Sequence, residues 1–378
     1  MTTALHDLYD KGGQSPWIDN LKRSYITSGR LAELIGEGIR GLTSNPTIMA
    51  KAIEGATDYD EQFATAMEQH HDVEAAYWDL VVTDVTEALE LFSPLYELSD
   101  RGDGFVSIEV APKLARDTAG TIAAARELHA RIAKPNVLVK IPATEEGLPA
   151  IRRMISEGHS INVTLIFSIE RYEEVIEAYQ SGLEELVAGG GDPSGVASVA
   201  SFFVSRVDTE TDRRLEGIAA ADAGSETAEQ ALTLRGKTAV AQARLAYETF
   251  ERRFSGPRWE ALASRGARVQ RPLWASTSTK NPAYPDLAYV DTLVAPHTVN
   301  TMPEETVEKV IDHGVVSVMG PRELAESKRL LDDLARVGVD LEDVARVLED
   351  EGVASFAKSF DELIERLADK VAQLTAPS

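Results

Sequence analysis

Residues 105–110 (FVSIEV), 137–141 (VLVKI) and 161–167 (INVTLIF) are short, rich in β-branched residues and almost continuously apolar. Strands that read this way are covered on both faces, as in a parallel sheet. Between them run stretches with helical spacing: Ile122, Leu128 and Ile132 within residues 117–132, and Tyr172, Val175, Ile176, Tyr179, Leu183 and Leu186 within 171–186. Strands alternating with helices of this length are the signature of βαβ units.

Working outward, the same kind of run recurs at 196–204 (VASVASFFV), 272–275 (PLWA) and 289–295 (YVDTLVA), and more weakly at 16–19 (PWID) and 39–43 (IRGLT). Eight strands alternating with helices favour an α/β (β/α)8 TIM barrel over an open sheet, although an open sheet would show the same alternation. Three regions exceed a minimal barrel. Helical segments from Met49 to about Glu97 lengthen the connection between the second and third strands. An Ala-, Glu- and Arg-rich stretch from Arg213 to Gln270, read as two helices, separates the sixth strand from the seventh. The tail from Pro303 to Leu374 is helical, with Phe356, Phe360, Leu363, Leu367, Val371 and Leu374 in one apolar stripe. No internal repeat or low-complexity segment marks a boundary, so residues 1–378 read as a single domain.

The chain has 378 residues, 38 Lys and Arg against 62 Asp and Glu, a net charge of −24 and no cysteine. Such an acidic balance argues against nucleic-acid or anionic-membrane partners, which attract Lys and Arg. The missing cysteines exclude disulfides, thiolate metal sites and a cysteine nucleophile, and fit a reducing compartment. Residues 1–10 (MTTALHDLYD) lack the basic and apolar regions of a signal peptide, and no apolar run approaches the length of a membrane span, so a cytoplasmic protein is expected.

Some motifs mislead. Gly36–Gly41 (GEGIRG) matches G-x-G-x-x-G as a string, but these glycines close a helix (Ser28 as its N-cap) and open a strand, the reverse of a dinucleotide site. Gly236-Lys237-Thr238 resembles the end of a phosphate-binding loop, yet the required earlier glycine position holds Ala231. No histidine pair has metal-ligand spacing.

Polar residues recur where the apolar strands stop: Asp19, then Thr43, Ser44 and Asn45, then Glu109, Lys140, Thr164, Ser201 with Arg206, and Ser276 with Lys280. Any one could simply end a strand at the solvent boundary. In a barrel, however, the carboxyl ends of all strands converge on one mouth, where catalytic groups gather. Lys140, flanked by Val137, Leu138, Val139, Ile141 and Pro142, is expected to be partly desolvated; desolvation favours the neutral amine that condenses with carbonyls. Asp19 and Glu109 supply carboxylates for the proton transfers of imine chemistry, and a salt bridge to Lys140 is compatible with that role. Arg206 and Lys280 suggest a cationic focus for an anionic substrate.

Residues 41–47 (GLTSNPT), 139–147 (VKIPATEEG), 161–168 (INVTLIFS), 201–206 (SFFVSR) and 275–282 (ASTSTKNP) resemble the transaldolase family in order, spacing and strand placement, over most of residues 15–300. The resemblance implies a class I aldolase-type barrel, a transferase without cofactor or metal. Its substrates are sugar phosphates of the non-oxidative pentose phosphate pathway: a dihydroxyacetone unit passes from sedoheptulose 7-phosphate or fructose 6-phosphate to glyceraldehyde 3-phosphate or erythrose 4-phosphate.

Carried over by position, the resemblance makes Lys140 the Schiff-base lysine and Asp19 the acid/base at the C4 hydroxyl. Glu109 would act through a water held by Thr164. Asn45, Thr43 and Ser201 would bind the hydroxyls of the transferred unit, and Arg206 with Ser276 the phosphate. A second arginine usual in bacterial relatives has no clear counterpart, so its role falls to Lys280. Relatives that release free dihydroxyacetone carry a tyrosine and a glutamine where this chain has Phe203 and Glu109, which favours transfer over release. The rival readings are such an aldolase, distinguished by its independence of an acceptor, and a non-catalytic barrel that binds sugar phosphates. Oligomeric state and the role of the extra helices stay open.

Overall fold

The computed structural model describes residues 2–375, with side chains through Val371. Eight parallel strands close into a barrel in chain order: β1 (Gln14–Asp19), β2 (Gly41–Thr43), β3 (Phe105–Glu109), β4 (Val137–Pro142), β5 (Ile161–Ile166), β6 (Ser198–Phe203), β7 (Gln270–Ala275) and β8 (Thr298–Met302). The expected (β/α)8 TIM barrel is therefore present, with helices packed around it. Every position of β2 to β6 is buried, which is why those strands read as near-continuous apolar runs.

Register carries the polar residues to one end. Asp19 pairs with Thr43, Glu109 with Lys140 and Pro142 with Thr164. Deeper in the barrel, Asn162 donates to Ser107 Oγ at 3.0 Å and accepts from Ser201 at 2.7 Å, so the buried polar groups of β3, β5 and β6 satisfy one another. The Trp17 ring is fully buried and requires a glycine on the next strand: a Cβ at Gly41 would stand 2.4 Å from the ring carbon Cε2. β5 carries a bulge between Val163 and Ile166, where Leu165 takes a left-handed backbone (φ 59°).

One strand lies elsewhere than its apolar pattern indicates. Residues 289–295 form a short helix (Ala288–Asp291) and a turn, and the eighth strand is Thr298–Met302. The apolar residues of 289–295 are buried beneath the barrel wall, with Leu293 O accepting from Gln14 and Trp274. The true strand reads TVNTM, disguised by buried Asn300 and Thr301. The connection between β6 and β7 holds four helices where two were expected: Ser205–Ala221, Glu226–Leu234, Thr238–Arg253 and Pro257–Ala263. The helix at Arg30–Glu37 takes Gly29 as N-cap, and Ser28 instead ends the preceding short helix, its hydroxyl accepting weakly from Arg30 N at 3.4 Å.

The long β2–β3 connection forms helices Pro46–Ile53, Asp60–His70 and Val73–Leu98, and the tail forms Glu304–His313, Pro321–Arg336 and Leu341–Thr375. The last of these crosses the carboxyl end of the barrel. Its stripe of Phe356, Phe360, Leu363 and Leu367 is buried, Val371 is half-buried, and the Leu374 side chain lies outside the described residues. Phe360 packs edge-on against Tyr77. At the closest approach the helix places Gly352, where a Cβ would come within 3.0 Å of Leu165 Cδ2. Arg214–Asp343 at 2.8 Å and Arg171–Glu349 at 3.7 Å tie its first turns to the barrel rim. Among the described residues no helix is long and apolar enough to cross a membrane.

Candidate active site

A cavity of about 70 Å³ sits at the carboxyl ends of the strands. Nine of the eleven residues singled out from the sequence line it: Asp19, Thr43, Asn45, Lys140, Thr164, Ser201, Phe203, Arg206 and Ser276. Glu109 lies behind Lys140, and Lys280 stands outside the cavity on an exposed loop.

The lysine is enclosed. Lys140 is 4% exposed; its Nζ donates to Ser44 O at 3.1 Å and lies 3.3 Å from Glu109 Oε2, an ion pair rather than a well-directed hydrogen bond. Burial raises the Glu109 carboxyl above its usual range, the Lys140 charge opposes that, and Asp19 adds to it. Glu109 borders a hollow of about 10 Å³ with Pro142 and Leu165, near the volume that holds one water. Glu109 Oε2 and Thr164 Oγ1 are buried without hydrogen-bond partners among the described residues. Buried polar atoms left this way point to a reacting group or a solvent molecule as the partner.

Asp19 shows the same conflict. Burial raises its carboxyl, while Lys140, the Thr43 hydroxyl, Arg206 and Lys280 pull it down. Thr43 Oγ1 donates to Asp19 Oδ1 at 2.7 Å and lies 2.6 Å from Thr301 Oγ1. Asn45 caps the helix Pro46–Ile53: its Oδ1 accepts from Ile48 N at 3.0 Å, which leaves the amide hydrogens for a ligand. Ser201 gives its proton to Asn162, so its oxygen can accept a further hydrogen bond.

Arg206 begins the helix that follows β6, an end whose dipole favours an anion. Its guanidinium carbon stands 5.1 Å from the Phe203 ring centre and 5.7 Å from that of Phe356, and burial lowers its pKa. Ser276, in a left-handed conformation (φ 59°), shares a 2.8 Å hydrogen bond with Ser205. Lys280 donates to Ser278 at 2.6 Å; burial, Arg206 and Lys51 lower its pKa, so the three cations share one neighbourhood.

Sequence reading misses Thr301, because the apolar run that suggests the eighth strand starts nine residues before β8, and Lys51, which sits in an unremarkable helical run. Phe356 was visible as part of an apolar stripe, but nothing local shows that this one residue roofs the cavity.

Residues 16–367 match the sequence model of the family described as transaldolase/fructose-6-phosphate aldolase. Among similar proteins is a transaldolase of Saccharopolyspora erythraea, 50% identical over 96% of this chain and 96% of its own. Another, from Thermobifida fusca, is 49% identical over 99% of this chain and all of its own. A third, from Mycolicibacterium smegmatis, is 51% identical over 93% and 94%. With match and relatives extending over nearly the whole length, the chain belongs to the transaldolase/fructose-6-phosphate aldolase family.

Proposed function

We propose that this enzyme, a transaldolase and hence a transferase, works through a Schiff base on Lys140, and the enclosed amine between two carboxylates is the observation that carries the reading. Lys140 attacks the C2 carbonyl of a ketose phosphate. Glu109, through a water in contact with Thr164, moves the protons that convert the carbinolamine to an iminium with loss of water. Asp19 then removes the C4 hydroxyl proton, the C3–C4 bond breaks, and its electrons pass into the iminium to give an enamine. The first aldose leaves, an acceptor aldehyde enters, and the steps reverse on it. Desolvation suits both carboxyls: a base whose pKa is raised accepts a proton more readily near neutral pH.

The remaining groups position the substrate. Asn45, Thr43 and Ser201 bind the hydroxyls of the three-carbon unit. Arg206 and Ser276 hold the phosphate, Lys280 adds charge at the rim, and Phe203 forms an apolar wall that limits water near the enamine. Sedoheptulose 7-phosphate or fructose 6-phosphate as donor and glyceraldehyde 3-phosphate or erythrose 4-phosphate as acceptor fit this chemistry. The continuous core supports reading the chain as one domain, and the absence of cysteine supports a cytoplasmic location.

The test is to incubate the protein with fructose 6-phosphate, reduce with borohydride and map the adduct by peptide mass spectrometry. A reduced dihydroxyacetone adduct on Lys140 is expected. An adduct on another lysine, or none, overturns the assignment.

A further inference from the structure

Two hollows much larger than the reaction cavity lie at the opposite end of the barrel from the reacting groups. The first, about 610 Å³, opens at the amino ends of β3, β6 and β7; the second, about 570 Å³, adjoins it and shares Arg101. In a chain with 62 acids against 38 bases, the first is lined by Arg101, Arg268, Arg271 and His297 against Asp10 and Asp103.

We propose that this hollow is a second anion site, which takes the phosphate groups of a small phosphorylated metabolite against Arg101, Arg268 and Arg271. Among the residues that line the hollow, three arginines face two carboxylates. Asp103 is buried and already faces two arginines, Arg40 at 2.7 Å and Arg271 at 3.1 Å, with Ser15 donating to it as well. Among the described residues, the one ion pair of Arg268 is with Asp100, 3.4 Å away and 97% exposed, a contact that water screens. Arg101 is exposed, makes no ion pair among the described residues, and has the exposed Asp192 as a more distant charge neighbour. Several arginines lining one concavity offer guanidinium groups of the kind that match the oxygens of phosphate groups.

Backbone strain marks the same place. Among the described residues, seven non-glycine residues have a left-handed backbone. His71 and Ala133 cap helices, and Asp100 and Arg101 together complete the turn that ends the helix Val73–Leu98, with Arg101 N donating to Tyr96 O at 2.8 Å. Leu165 touches the helix over the reaction cavity and Ser276 lines that cavity. Arg101 (φ 61°) and the remaining residue, His297 (φ 60°), both line the hollow at the other end. Such conformations cost free energy, persist where the surroundings enforce them, and gather at ligand sites. The hollow also falls in the size range of small-molecule pockets. Its concave shape suits a compact ligand better than a nucleic-acid backbone, which would need an extended basic stripe.

The test uses the full-length protein, titrated calorimetrically and by thermal shift with inorganic pyrophosphate, ATP and fructose 1,6-bisphosphate, each against sodium chloride at matched ionic strength. Arg101→Ala/Arg268→Ala leaves the Asp103 pairs in place, and Arg206→Ala disables the phosphate end of the reaction site. At least one probe is expected to bind saturably and raise Tm in the parent. Binding should weaken about tenfold or more in the double variant and stay within about twofold in Arg206→Ala. The probe that binds best identifies the source: pyrophosphate alone for bare phosphate, ATP for a nucleotide, the bisphosphate for a sugar. Binding lost in Arg206→Ala and kept in the double variant would place the anion at the reaction site and overturn the proposal. So would Tm rises no larger than those with sodium chloride. If the double variant does not fold, Arg101→Ala alone, at an exposed position, serves with the same criteria.

Discussion

The Arg206 guanidinium carbon stands 5.7 Å from the centre of the Phe356 ring, although the first residue begins the helix after β6 and the second lies in the last helix of the chain. The reaction cavity is thus completed by a segment outside the barrel. At about 70 Å³ it is smaller than the pockets that enclose drug-sized ligands, so a sugar phosphate can enter only if part of this cover moves. The helix has the means to yield, since exposed ion pairs such as Arg116–Asp350 hold part of it and contribute little individually.

Phe356 should therefore govern the fate of the enamine. Phe356→Ala opens the roof to water and is expected to increase release of free dihydroxyacetone without acceptor by about tenfold, relative to transfer, because a desolvated site is what suppresses that side reaction. Phe356→Leu, which keeps the apolar cover, should stay near the parent. Comparing product ratios with and without erythrose 4-phosphate decides the matter; equal ratios in all three proteins would remove Phe356 from this role.

Arg206 and Lys280 should prove unequal. Arg206 is sheltered between two rings at a helix start, and a charge-assisted hydrogen bond there is worth about 1.5–3 kcal/mol, or roughly 10- to 100-fold in KM for a phosphorylated donor. Lys280 is an exposed point charge, so Lys280→Ala should raise KM less than about fivefold, with the difference shrinking in high salt. Steady-state kinetics at two ionic strengths checks both, and a larger effect for Lys280 would reverse the assignment of the phosphate end.

How much of this was legible in the sequence depends on what each residue faces. β3 to β6 could be read because both faces are buried and apolar residues dominate each strand. β8 could not, because Thr301 faces the site and Asn300 donates to Tyr289 O, so the strand carries polar residues at buried positions while the neighbouring loop holds the apolar ones. Lys140, Asp19 and Glu109 stood out as charges at apolar strand ends. Phe356 did not, since an apolar stripe on a helix reads the same whether it covers a core or a catalytic cavity. Lys280 is assigned to the phosphate end by analogy with an arginine; it stands on an exposed loop, close enough to Arg206 for the two charges to interact.

Asp19 should separate imine formation from bond cleavage. Asp19→Asn keeps Lys140 and Glu109, so borohydride trapping of fructose 6-phosphate should persist while cleavage slows by about 10²-fold or more. Because burial raises the Asp19 carboxyl, the acid limb of kcat should lie above the pH of an ordinary carboxylate. Rapid-quench trapping alongside turnover tests this, and loss of both together would mean that Asp19 acts before the imine forms.

Asp208 provides a stability test away from the chemistry. It is buried beneath the helix Thr238–Arg253, accepting from Ala239 N and from the Tyr289 hydroxyl, each at 2.8 Å. Burial pushes its carboxyl up to about 6, from an ordinary 3.8 in the unfolded chain. The folded state therefore favours the protonated form: that contribution is fully present below pH 3.8 and is lost as pH rises through about 6. A shift of this size corresponds to roughly 3 kcal/mol between the two limits. Asp208→Asn cannot ionise, keeps an acceptor for Ala239 N, and lets the Tyr289 hydroxyl accept instead of donate. The stability difference between variant and parent should consequently move in favour of the variant by about 2.5 kcal/mol between about pH 4 and about pH 8. Urea unfolding of both proteins across that range measures it. A difference that does not change with pH would show that Asp208 is ionised in the folded protein throughout, held charged by its two donors.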